Sequence, residues 1–429
     1  MAVFRSAFRP RLVRPDTLGT EPTEMTIMAK PLNAEVAVVG GGPAGLTAAI
    51  ALAESGIGVA LIAPRPAPDH RTTALLAGSV AALETLDVWS RCAINAAPLR
   101  IMRIADATGR LIRAPEVRFD AAEIGLEAFG HNIENRYLVA ALEAQAAALS
   151  SQLTRVDGEA SRIDMGDDEV TVTLAQGGTL SARLVVGADG RRSLCRAAAG
   201  IETTGRRYPQ TALTFNLSHT RLHHDTSTEF HTESGPFTLV PLPGARSSLV
   251  CVVGPDEADR IAALNEAALN KEIERRSHSI LGKIAVEPGH GEFPLAVETA
   301  RTFGRNRIAL VGEAAHLVPP IGAQGLNLGL RDAATIAELV VAARRENSDV
   351  GAPELLNRYD RLRRADVNSR TFAVDLLNRT LLSDFLPVQS ARGLGLYLVD
   401  RVGPLRRAAM REGVMPRASQ PRLMRGEML

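Results

Sequence analysis

Residues 35–39, Glu-Val-Ala-Val-Val, read as a short apolar strand that runs straight into Gly40-Gly41-Gly42-Pro43-Ala44-Gly45. Residues 46–55 are dense in alanine and read as a helix. Gly56-Ile57-Gly58 ends it, and residues 59–62 form the next strand. The glycines at 40, 42 and 45 have GxGxxG spacing. The first permits the tight turn, the second lets backbone approach a pyrophosphate, and the third lets helix pack on strand. A lone GxGxxG is weak evidence. Inside a strand–turn–helix–strand unit it points to a dinucleotide site in an α/β fold, with Gly40, Gly42, Ala44 and Gly45 as candidate contacts; a glycine-rich structural turn is the alternative.

An acid at the end of the second strand normally grips the adenosine ribose of such a ligand. Here that place holds Ala63, followed by Pro64-Arg65-Pro66. The ribose must therefore be held otherwise, or less tightly. Arg71, in the polar run Asp69-His70-Arg71-Thr72-Thr73, is a candidate substitute and could meet the pyrophosphate instead; a solvated loop arginine is the alternative. Arg136, in the first turn of a helix expected over 135–149, either points at the cofactor or is a surface charge.

Two later stretches repeat the pattern of a strand delivering an acid to its carboxyl end, where parallel sheets bind ligands. Residues 184–186 lead into Gly187-Ala188-Asp189-Gly190, with Arg191, Arg192, Ser193 and Arg196 following. Residues 308–311 are a short buried strand that turns at Gly312 and presents Glu313. A Pro- and Gly-rich loop comes next, and residues 327–341 read as a helix. Together these make a site for a polar, partly anionic ligand.

At 429 residues, two interleaved domains plus a tail are expected. A net charge of +1 argues against nucleic acid as the main partner. Cys92, Cys195 and Cys251 lack metal or redox-pair spacing and read as buried thiols of a reducing compartment. No apolar run approaches the roughly 20 residues of a membrane span. The basic, acid-free start (Arg5, Arg9, Arg11, Arg14) suggests an organelle-targeting peptide, a disordered extension, or a start placed ahead of Met25 or Met28.

Residues 73–88 look helical, and 99–105 with 110–113 suggest a hairpin around Thr108-Gly109. Strands are expected over 160–164, 169–174 and 179–186. Residues 205–293 read as a mixed β domain with strands at 212–217, 228–230, 237–241 and 248–253 and helices around Ile261 and Ile273. His219, His223, His224 and His231 cluster there; strand-edge histidines fit better than a metal site, and no metal is expected.

Together the three motif stretches resemble the class A flavin-dependent aromatic hydroxylases, and within them the UbiH/UbiF/VisC group that hydroxylates ubiquinone precursors. The resemblance runs from about Glu35 to about Arg411. It is carried by Gly40 to Gly45, by Gly187 to Gly190 with Ser193 and Arg196, and by Gly312-Glu313-Ala314-Ala315-His316 through Pro320, Gln324, Gly325, Asn327 and Asp332. Arg71 through Leu75 and, near the end, residues 376–379 and 391–395 resemble the branch as well. Glu313 stands where the family usually has Asp, and Gly322-Ala323 where the branch usually shows Ala-Gly. With Ala63, these departures predict modest FAD affinity.

The resemblance implies a Rossmann-like FAD-binding domain (34–205 and 294–345, with a substrate-side insertion near 73–130), a mixed-sheet substrate domain (206–293) and C-terminal helices (346–429) after an extension (1–33). It implies FAD held by Gly40, Gly42, Ala44, Gly45, Arg71, Arg136, Asp189, Gly190, Glu313, Gly325 and Asn327. Pro320, Gly322, Gln324 and Gly325 would lie along the flavin, Asn327 near its pyrimidine edge. The chemistry implied is hydroxylation of a polyprenylated phenol through a flavin C4a-hydroperoxide, with O2 and with electrons from NAD(P)H or a donor protein. No catalytic base is identifiable; His316 is the nearest candidate, though packing is its commoner role. A substrate so apolar implies a cytoplasmic enzyme in peripheral contact with the inner membrane or a biosynthetic complex. The 372–386 stretch, apolar on one face, and the basic residues Arg392, Arg401, Arg406, Arg407 and Arg411 fit that contact or, equally, a solvated face over the core. A relative acting on another aromatic or isoprenoid, and a non-catalytic assembly factor, are the alternatives.

Overall fold

The computed structural model describes residues 32–429 apart from 67–68, 110–112, 321, 383–394, 396, 399–400 and 415–419, with backbone alone for 373–374 and 376–382. The basic N-terminal stretch and Arg392 lie outside the described residues.

The first sheet is built on β1 (Leu32–Val39) and β2 (Val59–Ala63), joined by helix α1 (Pro43–Glu54). Its order is Gly304–Arg305, Ile308–Leu310, Thr179–Gly187, β1, β2, Leu153–Asp157. β1 runs parallel to both neighbours, with Val38 opposite Val186 on one side and Leu61 on the other. Val36, Ala37 and Val38 are fully buried, so consecutive residues are covered on both faces, which is why the strand reads as an unbroken apolar run rather than an alternating one. The strands Val170–Leu174 and Ala160–Met165 extend this sheet as an antiparallel ribbon, close to the expected positions.

The strand β3 (Thr72–Leu76) precedes helix α2 (Ala77–Thr85), where sequence periodicity suggests one helix over 73–88. Two causes correct that reading. Thr72 and Thr73 are β-branched and suit a pleated strand, and β3 pairs antiparallel with Gly130–Glu134, Thr73 opposite Ile133. Helix α3 (Asn135–Ala148) follows as expected and buries Leu138, Ala141, Leu142 and Gln145.

The second sheet runs His316–Leu317, Ile284–Ala300, Thr203–His219, Arg246–Val253, Gly235–Leu242, Thr226–Thr232, Ile101–Asp106, Val117–Asp120. It therefore takes in a hairpin from the insertion as well as the mixed β region. The hairpin's return strand is Val117–Asp120, with Ile101 opposite Asp120 and Ile104 opposite Val117; residues 110–112 of the expected strand lie outside the described residues. One face packs Leu213, Phe215, Leu249 and Cys251 against Ile261 and Ile273 of the two helices Pro255–Ala262 and Glu266–Arg276.

Gln324–Arg345 is a 22-residue helix, longer than expected, that packs across α1. Pro353–Leu382 follows and contains residues 376–379; Ala391–Leu394 of the other C-terminal resemblance lie outside the described residues. The helix Gly403–Val414 lies on the fold by one face: Met410 and Val414 join Leu76, Ala121 and Phe129, and Arg406 pairs with Glu123 at 2.6 Å. The last turn, Arg422–Arg425, buries Leu423 and Met424 in the first core.

Candidate flavin site

Close approach of backbone brings the three motif stretches together. Gly40 has φ +116°, and a Cβ on it would fall 2.2 Å from the Ala188 carbonyl oxygen. The Ala188 N–H donates to the Val39 carbonyl at 2.7 Å. A Cβ on Gly329 would lie 3.1 Å from the Gly312 Cα and 3.3 Å from the Ala44 Cβ. So the first turn of α1, the Gly312 turn and the long helix meet at three small residues, a convergence that only small side chains permit.

The arrangement fits a dinucleotide. Beside Gly42 there is nothing within 4 Å of a built Cβ, which leaves room for phosphate at the N-terminus of α1. Asp189 accepts the Cys195 N–H through Oδ2 at 3.0 Å, while its Oδ1 is buried without a partner. A buried carboxylate oxygen with nothing to accept is costly unless a ligand hydroxyl supplies the donor. Glu313 is exposed at the turn beside it. Arg196 ties the second stretch to the third, donating to the Ala314 carbonyl at 2.9 Å.

Arg71 is brought to this place but is not a free cation. Its guanidinium holds Asp69 through Nε and Nη2, at 2.9 and 2.7 Å. Asp69 beside it, with a smaller contribution from Glu313, raises the guanidinium above its ordinary value against the opposing effect of burial. Arg71 also lies 5.7 Å over the ring of Phe293 from the second sheet. Arg136 is directed differently: it pairs with buried Glu134 at 2.9 Å, and Glu134 also accepts from Arg246.

Asn327 is 1% exposed, and its side chain is fully engaged by protein. Oδ1 accepts from the Leu76 N–H at 2.9 Å and from Ser79 Oγ at 2.6 Å; Nδ2 donates to the Ala74 and Ala323 carbonyls. Its amide thus fastens β3 and α2 to the start of the long helix. Ahead of it, Gly322 (φ +67°) and Ala323 (φ +54°) turn the chain left-handed, so that the N–H groups of Gln324 and Gly325 open the helix without intrahelical acceptors. Pro320 is exposed on the same loop, and the Gln324 Oε1 is buried and unpartnered.

His316 is no base. It is 2% exposed, and its Nε2 lies 2.6 Å from Asp332 Oδ2. Asp332 also accepts from the Gly312 N–H at 3.0 Å and from Arg363 Nε at 2.6 Å. Burial pushes the Asp332 carboxyl up, but His316 and Arg363 outweigh it and hold the group below its ordinary value. Arg363 bridges on to Asp366, which Arg331 also holds. This buried network sets the Gly312 turn. Sequence reading missed Arg363 and Asp366, because nothing in a helix's own pattern tells a buried cation from an exposed one.

Three of the four clustered histidines are engaged by protein groups. His219 contacts the Arg221 carbonyl and Ser247 Oγ, His223 the Leu242 carbonyl, and His231 the Glu229 carboxylate. Among the described residues no group of three or more potential ligands could hold a metal. All three cysteines are buried, and burial raises the thiols of Cys92 and Cys251 to about 11.

The FAD binding domain family matches residues 33–371. The chain is 36% identical over 403 residues to ubiquinone hydroxylase UbiL of Rhodospirillum rubrum, covering 92% of this chain and 93% of that one. It is 32% identical to 3-demethoxyubiquinol 3-hydroxylase of Escherichia coli, covering 88% and 97%. Among solved structures, p-nitrophenol 4-monooxygenase PnpA of Pseudomonas putida superposes with TM-score 0.75 at 21% identity over 91% of this chain and all of that one. HpxO of Klebsiella pneumoniae, in complex with FAD and uric acid, superposes with TM-score 0.69 at 18% identity over 90% and 97%. The chain belongs to the class A flavin monooxygenases, FAD-dependent aromatic hydroxylases that carry this FAD binding domain. FAD is its cofactor.

Proposed function

We propose that this chain hydroxylates the aromatic ring of a polyprenylated phenol in ubiquinone biosynthesis. The observation that carries the reading is the 36% identity to a ubiquinone hydroxylase across nearly the whole of both chains. When bound, FAD reduced by NAD(P)H or a donor protein activates O2, so that one oxygen atom reaches an electron-rich ring.

The protein's own part is binding, orientation and exclusion of water. Gly40, Gly42, Ala44 and Gly45 would lie along the pyrophosphate, and Asp189 Oδ1 would accept from a hydroxyl of the bound cofactor. Glu313 would accept from the ribityl chain. Gln324 and Gly325 would turn their N–H groups, the positive end of the long helix, toward the flavin ring. The face of the second sheet away from its two helices carries Thr214, Thr238, Val240 and Val250, all half-buried, with Phe293 beside Arg71. Such a surface of methyls and hydroxyls suits a phenol bearing an apolar tail, and it holds water off the reacting ring.

No described helix is long and apolar enough to cross a membrane. For delivery of so apolar a substrate we propose peripheral contact with anionic lipid, through the segment that exposes Tyr397, Leu398, Val402 and Leu405 beside Arg407 and Arg411. A lipid extract from cells lacking the gene tests the substrate. The expected result is an accumulated quinone precursor short of one ring oxygen, whose structure names the carbon; an unchanged quinone pool would overturn the proposal.

A further inference from the structure

The carboxylate that normally closes a dinucleotide fold over the adenosine ribose is missing from the end of β2, where Ala63 stands. The neighbouring strand supplies what β2 lacks. Leu153–Asp157 runs parallel to β2, and Ala63 is in register with Asp157. In a sheet, residues in register sit about 4.8 Å apart and turn their side chains to the same face. An acid therefore exists one strand over from its usual place, at the same height. Two residues earlier, on that same face, Arg155 projects toward the glycine turn. A Cβ built on Gly41 would lie 2.7 Å from the Ala63 Cβ and 3.9 Å from both Nη atoms of Arg155. Glycine at 41 and alanine at 63 together leave open the space in front of that guanidinium.

Arg155 is held ready there. Its side chain is only 16% exposed, and Nη1 donates to Glu143 at 2.6 Å. Nη2 donates to the Pro64 carbonyl at 3.1 Å, and Nε to Asp157 Oδ1 at 3.3 Å. These contacts leave an Nη1 N–H for a ligand. Asp157 takes Arg65 on its other oxygen at 3.0 Å and retains lone pairs on both. The set is two cations against two carboxylates. With no net charge it is a poor seat for a further phosphate and a good one for a neutral diol, which needs both a donor and an acceptor.

We infer that the adenosine ribose of FAD is gripped from the neighbouring strand, a hydroxyl oxygen accepting from Arg155 and a hydroxyl O–H donating a hydrogen bond to Asp157. The inference rests on the FAD assignment and is independent of which phenol is oxidised.

The test compares FAD with the analogue whose adenosine lacks both ribose hydroxyls, titrated into flavin-free protein and followed by flavin fluorescence. In the unmodified chain the analogue should bind about tenfold or more weaker. In Arg155→Met, which keeps the stem and removes the donors, the two ligands should bind within about twofold of each other. Asp157→Asn, which leaves the buried Arg155–Glu143 pair intact, should narrow the gap in the same direction. Because the readout is a ratio within one protein, a general loss of stability cancels. Full discrimination persisting in both variants would overturn the inference, and so would the absence of discrimination in the unmodified chain. If neither flavin bound the unmodified chain, the FAD assignment itself would fall, a different result from either.

Discussion

At Asp189 one carboxylate oxygen caps the Cys195 N–H and the other is buried with no partner, so half of the side chain serves the fold and half awaits a ligand. Asp189→Ala should weaken FAD by roughly 1.5–3 kcal/mol, the range for a hydrogen bond to a charged group. Fluorescence titration of flavin-free protein measures it, and unchanged affinity would show that the orphan oxygen has another purpose. Arg363 is a second decisive residue, because its one side chain pairs with both Asp332 and Asp366. Arg363→Met should cost about 3–5 kcal/mol, the usual result of removing one partner from a buried ion pair. The pH dependence has a definite sign. Both carboxyls are held below their ordinary values in the fold. Their contribution is therefore complete above the unfolded value of about 3.9 and is lost as pH falls through the folded values. Removing the cation raises those folded values, so acid unfolding of Arg363→Met should begin at a higher pH than that of the unmodified chain. A superimposable acid limb in circular dichroism would contradict the network's role.

At the scale of elements, the site is a meeting of one strand end, one turn and one helix at Ala44, Gly312 and Gly329. Gly329→Ala would place its methyl 3.1 Å from the Gly312 Cα, and backbone there cannot give way as a flexible side chain would. Overpacking of this kind costs about 1–3 kcal/mol. The long helix should be pushed off the turn, lowering both the melting temperature and flavin retention; an alanine variant indistinguishable in both would show the contact to be slack. What the sequence made legible at this scale follows from periodicity and glycine. β1, α1, β2 and the strands leading to Asp189 and Glu313 are buried on both faces or broken by glycine, and such patterns are local. β3 was not legible as a strand. Its pairing partner, Gly130–Glu134, is 54 residues distant even at the closest pair, Leu76 with Gly130, and Asn327, which holds its last N–H, is 251 residues away. The same distance hid the role of Asn327: its motif position was plain, yet only the fold shows its amide engaged by β3 and α2. Arg71 and Arg136 were ambiguous for want of their acids, Asp69 and Glu134, whose carboxylates decide where each guanidinium points.

At the scale of the whole molecule, Arg71 joins the second sheet to the Gly312 turn, lying over the Phe293 ring while influenced by Glu313. The C-terminal segments close over this body. One face of the helix Gly403–Val414 packs on Leu76 and Phe129, while Leu405, Arg407 and Arg411 are exposed. If that exposed side meets lipid, the protein should float with vesicles containing anionic lipid at low salt. It should be released at high salt, since exposed charges are screened over about 8 Å at physiological ionic strength. Replacing Arg407 and Arg411 with glutamine should weaken flotation while leaving the flavin spectrum unchanged. Failure to float at low salt would remove the membrane from the account without touching the cofactor site. The measurement that bears most directly on the central claim, three distant stretches converging on one FAD, is the visible spectrum of the purified chain after incubation with excess FAD and desalting. The account predicts flavin that elutes with the protein, and less of it in Asp189→Ala; a colourless protein from which all the flavin elutes with small molecules would contradict it.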